Sequence, residues 1–343
     1  MNILIIGPSW VGDMVMAQCL FRVLREQHPA CQIDVLAPDW SRPLLERMPE
    51  VRRALSFPLG HGQLALRERF RIGRALKSQY QQAIVLPNSL KSALVPFFAG
   101  IEQRTGWLGE MRCGLLNDWR RLDKARYPLM IERFMALALA PRTPLTKPYP
   151  YPELRIDAAS REAALQAFAL NLERPLLALC PGAEFGEAKR WPAAHYASVA
   201  EAKIRQGWQL WIFGSASDRA GGDSICAQLP EDLQPFAINL AGKTSMAQAI
   251  DLLSCAAAVV SNDSGLMHVA AALKRPLVAV YGSTSPQFTP PLAEQVQIVR
   301  LGLPCSPCFE RTCRFGHYHC LQQLMPTAVL DALNQLSKDS QGK

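Results

Sequence analysis

The sequence lacks any apolar run approaching the ~18 residues that a membrane-crossing helix needs. Its start, MNILIIG, has neither the basic flank nor the small-residue cleavage site of a secretory leader, and reads as a first β-strand. A cytosolic protein is therefore expected, with its ten cysteines reduced or metal-bound. No two aspartates stand one residue apart, so the D-x-D pair that often holds a divalent metal under a nucleotide diphosphate is missing. The first loop, GPSWVGD, spaces its glycines by four residues and is not followed by Lys-Ser or Lys-Thr. That argues against both a dinucleotide-binding G-x-G-x-x-G turn and a P-loop. Short-period repeats and low-complexity tracts are absent too, which removes solenoids and disordered tails.

What is present is a chain of 343 residues, long enough for two domains, with 49% apolar and 19% charged residues. Its net charge of +8 is unevenly placed. Residues 1–150 hold 21 Lys and Arg against 12 Asp and Glu, whereas residues 151–343 hold 16 against 17. A basic half suits a polyanion: nucleic acid, an anionic membrane or an acidic substrate, with a solubilising surface as the plainer reading. Nucleic acid is disfavoured, because no recognised binding motif is present and aromatics do not interleave with the basic residues.

The coarse pattern is α/β. A strand at Asn2–Gly7, a helix from about Met14 to Gln27 and a strand at QIDVLAP form one βαβ unit, and QAIVLP adds a strand. Residues 140–155 carry Pro141, Pro144, Pro148, Pro150 and Pro152, a density that favours an extended connection. The domain boundary is placed there, giving domains 1–150 and 151–343, with the last helix expected to pack back on the first domain. The second half restarts the alternation: strands at PLLALCPG, WQLWIFG, AAVVS and PLVAVYG, with helices between them. The expected fold class is two Rossmann-like, doubly wound α/β domains with a cleft between them, ligands binding at strand carboxyl ends.

Several strand-to-helix loops carry chemistry. SNDSGLMHVAAAL places Asp263, Ser264, Gly265 and His268 at a helix start, where open N–H groups and the helix dipole favour a phosphate. A capped helix with a half-buried histidine is the alternative. CPGAEFGEAKRWP sets Lys189 beside Arg190 after a strand, two cations that could neutralise a diphosphate or simply be solvated. In FGSASDRAGG, Asp218 could accept from a ribose diol or cap the next helix. Asp13 stands at the start of the first helix, as an N-cap or as a carboxylate available for general-base work. A fifth segment, LPCSPCFERTCRFGHYHCL, holds Cys305, Cys308, Cys313 and Cys320. Four thiols at that spacing are a candidate set for a structural zinc or an iron–sulfur cluster, a loop of reduced thiols being the other reading.

Taken together, GPSWVGDMVMAQ, LPNSLKSALVPFFAG, RTGWLGEMR, CPGAEFGEAKRWP and SNDSGLMHVAAAL resemble the ADP-heptose:lipopolysaccharide heptosyltransferases, most of all the branch that adds the second inner-core heptose. The resemblance spans residues 1 to about 300 and its motifs are long. It implies a GT-B fold, with acceptor on the first domain and donor on the second. It also implies inverting transfer of L-glycero-D-manno-heptose from ADP-heptose to heptosyl-Kdo-lipid A, without a catalytic cofactor, at the cytoplasmic face of the Gram-negative inner membrane. By the same resemblance Asp13 matches the catalytic acid–base residue, Lys189 the phosphate-binding lysine, Asp263, Ser264, Gly265 and His268 the donor signature, and Asp218 a ribose-binding acid. Arg190 joins the donor set. Candidate acceptor contacts are Ser9, Lys91, Arg104, Arg112, Arg120 and Arg121. The segment Leu94–Gly100 reads as a buried helix end, with an apolar lip near lipid as its second reading. A heptosyltransferase acting on another core acceptor, or a non-catalytic ADP-sugar-binding protein, are the competing functions.

Overall fold

The computed structural model describes residues 1–60 and 62–341. They form two compact units, Met1–Arg155 and Ile156–Lys343. The first unit contains strands β1 (Asn2–Ile6), β2 (Gln32–Ala37), β3 (Val51–Ser56), β4 (Gln82–Val85), β5 (Gln103–Trp107) and β6 (Asp118–Arg120). They make one parallel sheet in the order β3-β2-β1-β4-β5-β6. The second contains β7 (Leu176–Cys180), β8 (Gln209–Ile212), β9 (Ala237–Asn239), β10 (Ala258–Asn262), β11 (Leu277–Val280) and β12 (Val296–Val299). Its order, β12-β11-β10-β7-β8-β9, repeats the first topology. In both units the winding reverses between two central strands, β1 and β4 or β7 and β10. Those are the positions where open α/β sheets hold ligands beyond the strand carboxyl ends.

Residue type explains the layout. The central strands are continuous apolar runs because helices cover both their faces. Ile3, Leu4 and Ile5 are fully buried, as are Leu177, Ala178 and Leu179. The strand β3, VRRALS, carries no apolar run. It is stabilised by Asp34 of β2, a buried carboxylate that accepts from Arg52 at 2.6 Å and from Arg53 at 2.6 Å. Tyr80 donates to the same oxygen, and these bonds hold Asp34 below the usual carboxylate range despite its burial.

Three expectations need correction. The first helix spans Val11–Gln27, starting three residues earlier than its apolar spacing suggests, because Trp10 takes the extended N-cap conformation. Asp13 therefore lies inside the first turn rather than at the cap. The proline-rich stretch stays with the first unit as far as Arg155. Buried Gln18 exchanges bonds with both the Glu153 carbonyl and the Glu153 N–H, and the Arg155 N–H donates to the Arg47 carbonyl. Finally, the last helix, Pro326–Gln341, belongs to the second unit. Its Val329, Leu333 and Leu336 are buried in the core of the second, with Trp191 and Tyr196.

Candidate active site

At the β7/β10 switch point, one side chain ties two loops together. Asn262, fully buried at the end of β10, donates to the Pro181 carbonyl at 2.6 Å. Its Oδ1 accepts from the Trp191 N–H at 3.2 Å and from the Tyr196 hydroxyl at 2.9 Å. The loop leaving β7 is thus held at both ends against the loop leaving β10. Between those anchors, Lys189 Nζ donates to Asp263 Oδ2 at 2.6 Å. The same oxygen accepts from Thr284 Oγ1 at 2.5 Å, and Asp263 is buried. An ammonium has three donors, so this pairing orients Lys189 and leaves it capacity for a second anion.

The next element is the helix Gly265–Ala272. Ser264 is its N-cap in extended conformation, but its side chain makes no capping bond. The first-turn N–H groups therefore keep their capacity for an anion. His268, one turn in, is buried, and desolvation brings its imidazole down to about 4 even though the Asp263 charge opposes the shift. It is neutral at physiological pH and can offer a hydrogen bond but not a charge.

Asp218 is differently employed from the ribose acceptor that the resemblance suggested. It is buried and accepts from the Ser215 N–H at 2.9 Å, the Ser215 hydroxyl at 2.7 Å and Arg190 at 3.1 Å. A Cβ at Gly182 would stand 2.4 Å from its Oδ2, and one at Gly214 would stand 2.7 Å from its Cβ, so both glycines make room for this carboxylate. Arg190 and Asp218 thereby brace the loops after β7 and β8. The carboxylate that faces solvent beside them is Glu184, which accepts from Ser215 Oγ at 3.0 Å.

In the first unit, Ser9 is exposed in the loop between β1 and the first helix, and Asp13 is half-buried in that helix's first turn. Gly7 lets the loop lie close, since a Cβ there would approach Met14 Cε to 2.8 Å. The arginines expected at an acceptor are mostly engaged internally. Arg112 is fully buried and donates to the Trp107 carbonyl at 2.5 Å, the Pro87 carbonyl at 2.6 Å and Ser92 Oγ at 3.0 Å. Burial lowers its guanidinium to about 10, so it stays charged. Arg104 holds the Leu115 and Ile101 carbonyls. Arg120 pairs with Asp118 at 2.8 Å and holds the Ala136 and Leu139 carbonyls. All three hold main-chain carbonyls of these loops. Lys91 is half-buried, in the Pro87–Ser92 loop that Arg112 organises, and Arg121 is exposed beyond the edge strand β6.

The cysteine segment does not assemble a ligand set. Cys305, Cys308, Cys313 and Cys320 are free thiols, and among the described residues no three His, Cys, Asp or Glu side chains are grouped to hold a metal ion. Three residues that matter to the site escaped the sequence reading. Asn262 and Thr284 follow apolar strands in the same way as Asp263, so strand-end position was an available signal. Glu184 had none to distinguish it from any surface glutamate.

Comparisons with known proteins agree with this geometry. Residues 69–319 match the model of glycosyltransferase family 9 (heptosyltransferase). The chain is 51% identical to lipooligosaccharide heptosyltransferase 2 of Haemophilus influenzae, covering 98% of this chain and 99% of that one. It is 50% identical to lipopolysaccharide heptosyltransferase 2 of Escherichia coli, covering 98% of each. The solved structure of E. coli ADP-heptose lps heptosyltransferase II superposes with a TM-score of 0.90 at 48% identity, over 99% of this chain and 100% of that one. Two doubly wound units of this kind are the GT-B architecture, and the chain belongs to glycosyltransferase family 9, the heptosyltransferases.

Proposed function

We propose that this enzyme transfers L-glycero-D-manno-heptose from ADP-heptose, with inversion, to the first heptose of heptosyl-Kdo-lipid A during assembly of the lipopolysaccharide inner core. The observation that carries the reading is the Lys189–Asp263 pair beside an uncapped helix N-terminus at the β7/β10 switch point. Half-identity over the whole chain to second-heptose enzymes supports the choice of acceptor.

In this mechanism Asp13 takes the proton from the acceptor hydroxyl as that oxygen attacks the donor's anomeric carbon. The bond to ADP breaks and negative charge grows on the leaving diphosphate. Lys189 and the N–H groups at Ser264–Gly265 meet that charge, supplying the positive field that a divalent ion provides where a D-x-D pair is present. Neutral His268 contributes a hydrogen bond. Glu184, exposed beside the Asp218 brace, is the carboxylate placed to meet the donor's ribose. The acceptor is a lipid, so the enzyme works peripherally on the cytoplasmic face of the inner membrane; no described helix is long and apolar enough to cross one.

The test is ADP release from ADP-heptose with and without heptosyl-Kdo-lipid A, for the wild type and Asp13→Asn. Removing a general base costs roughly 10²–10⁴-fold in turnover, so acceptor-dependent release should nearly vanish while ADP-heptose affinity is retained. Full turnover in the variant would refute the base. Release with the Kdo-only acceptor alone would make this a first-heptose enzyme. Donor binding without release to either acceptor would favour a sugar-nucleotide-binding protein.

A further inference from the structure

We propose that the surface made by the helices Leu66–Ala75 and Leu94–Phe98 docks the enzyme on an anionic phospholipid bilayer. This names the membrane-facing surface that the proposed function requires, and it rests on that function only in taking the acceptor to be lipid-borne.

The two helices meet at Gly73. A Cβ there would come within 2.6 Å of Phe98 Cβ and 2.8 Å of the Val95 carbonyl, so glycine permits direct backbone approach. That approach sets aromatic side chains from both helices side by side. Phe70 and Phe98 pack edge-on with ring centroids 5.3 Å apart, and Phe97 and Phe98 at 5.8 Å. The cluster does not close over itself: Phe70 remains 51% exposed, Leu66 one turn earlier 50%, and Phe97 42%. Burying such side chains in the headgroup region removes apolar surface from water.

Charge lies on the adjoining stripe. Arg67, Arg71 and Arg74 follow one another at helical spacing, Lys77 comes just after the helix, and all four are exposed. The single acid of the helix, Glu68, is paired with Arg71 at 2.5 Å. Arg104 adds a guanidinium 5.7 Å from the Phe97 ring centre. An exposed apolar edge flanked by basic residues is the pattern of a helix that lies in a membrane interface. A second copy of the chain is a poor occupant, because it would bring the same cations to face these and its other half is nearly neutral, with 17 acids against 16 bases.

Co-sedimentation with phosphatidylethanolamine–phosphatidylglycerol vesicles, against phosphatidylcholine vesicles, tests the proposal. The wild type should bind the anionic vesicles and be largely released by high salt. Arg67→Glu combined with Arg74→Glu should weaken that binding by at least about tenfold. Phe70→Ser combined with Phe97→Ser should abolish the salt-resistant remainder. Both variants should keep wild-type melting and wild-type ADP release on a deacylated, water-soluble acceptor. Wild-type vesicle binding in both variants would overturn the proposal, and so would concentration-dependent dimerisation that the phenylalanine variant abolishes. No vesicle binding by a wild type that is active on the soluble acceptor would sink the docking surface and leave the function standing. Vesicle binding lost in the variants, with no transfer by any of the proteins, would do the reverse.

Discussion

At the switch point of the second sheet, two buried carboxylates meet cations: Asp263 pairs with Lys189, and Asp218 with the exposed Arg190. On the loops of the first sheet the buried charges are cations instead: Arg69 and Arg112 hydrogen-bond to carbonyl, amide and hydroxyl oxygens. Arg69 holds the Gln63, Leu64 and Lys91 carbonyls, and burial lowers its guanidinium without neutralising it. The same strand order therefore supports two electrostatic designs. The second unit holds Lys189 in a neutral pair, so an anion arriving there would share the lysine with Asp263 instead of meeting a bare cation. The first unit keeps Arg69 and Arg112 under the Pro87–Ser92 loop, where the nearby carboxylate is Glu110, which accepts from the Leu90 N–H at 2.7 Å. A unit with this cationic excess suits the polyanionic acceptor of the proposed reaction.

The comparison breaks most sharply if Lys189 is not the leaving-group partner. Lys189→Met should reduce ADP release by about 10²–10³-fold, the loss expected when a preorganised electrostatic partner is removed. Turnover near the wild type in that variant would show that the Lys189–Asp263 pair is a structural brace. The next largest effect concerns the other unit. Arg112→Met strips bonds from the Trp107 and Pro87 carbonyls and from Ser92, and each buried polar group left unpaired costs roughly 1–3 kcal/mol. A stability loss of about 3 kcal/mol in urea denaturation is expected, with ADP-heptose affinity unchanged. An unaltered urea midpoint with a raised acceptor KM would return Arg112 to the role of a ligand-contacting residue.

Arg112 also shows where sequence reading stops. The doubly wound character of each unit was legible because β1, β2, β4, β7, β8, β10 and β11 carry apolar runs broken by small polar loops, whereas the outer strands β5, β6, β9 and β12 were not read. The strand β3 was not read either, because its arginines are neutralised by Asp34, 18 and 19 positions earlier in the chain. Lys189 and Asp263 were legible as separate strand-end residues, and folding brings them within 2.6 Å. An arginine turned inward on main-chain carbonyls has the same sequence signature as one turned toward a substrate. Arg104, Arg112 and Arg120 could be separated from Lys91 and Arg121 only once the loops were placed. The cysteine spacing carries less: spacing along the chain does not by itself group four side chains, and among the described residues no such group is formed.

The smallest expected effect tests the electrostatics of the second unit through His268. Burial lowers this imidazole from 6.5 to about 4. Between those pH values the unfolded chain binds a proton that the native state refuses, so stability falls as pH drops through that window and is unaffected above it. From pH 7 to pH 5 the loss attributable to His268 is about 2 kcal/mol. Urea denaturation of His268→Gln should therefore show a shallower acid slope than the wild type over that interval. Identical slopes would mean that the native imidazole already takes up the proton, placing a second cation beside Lys189. A charged His268 would then stabilise the leaving diphosphate directly, and turnover would show an ionisation near neutral pH that the neutral imidazole does not produce.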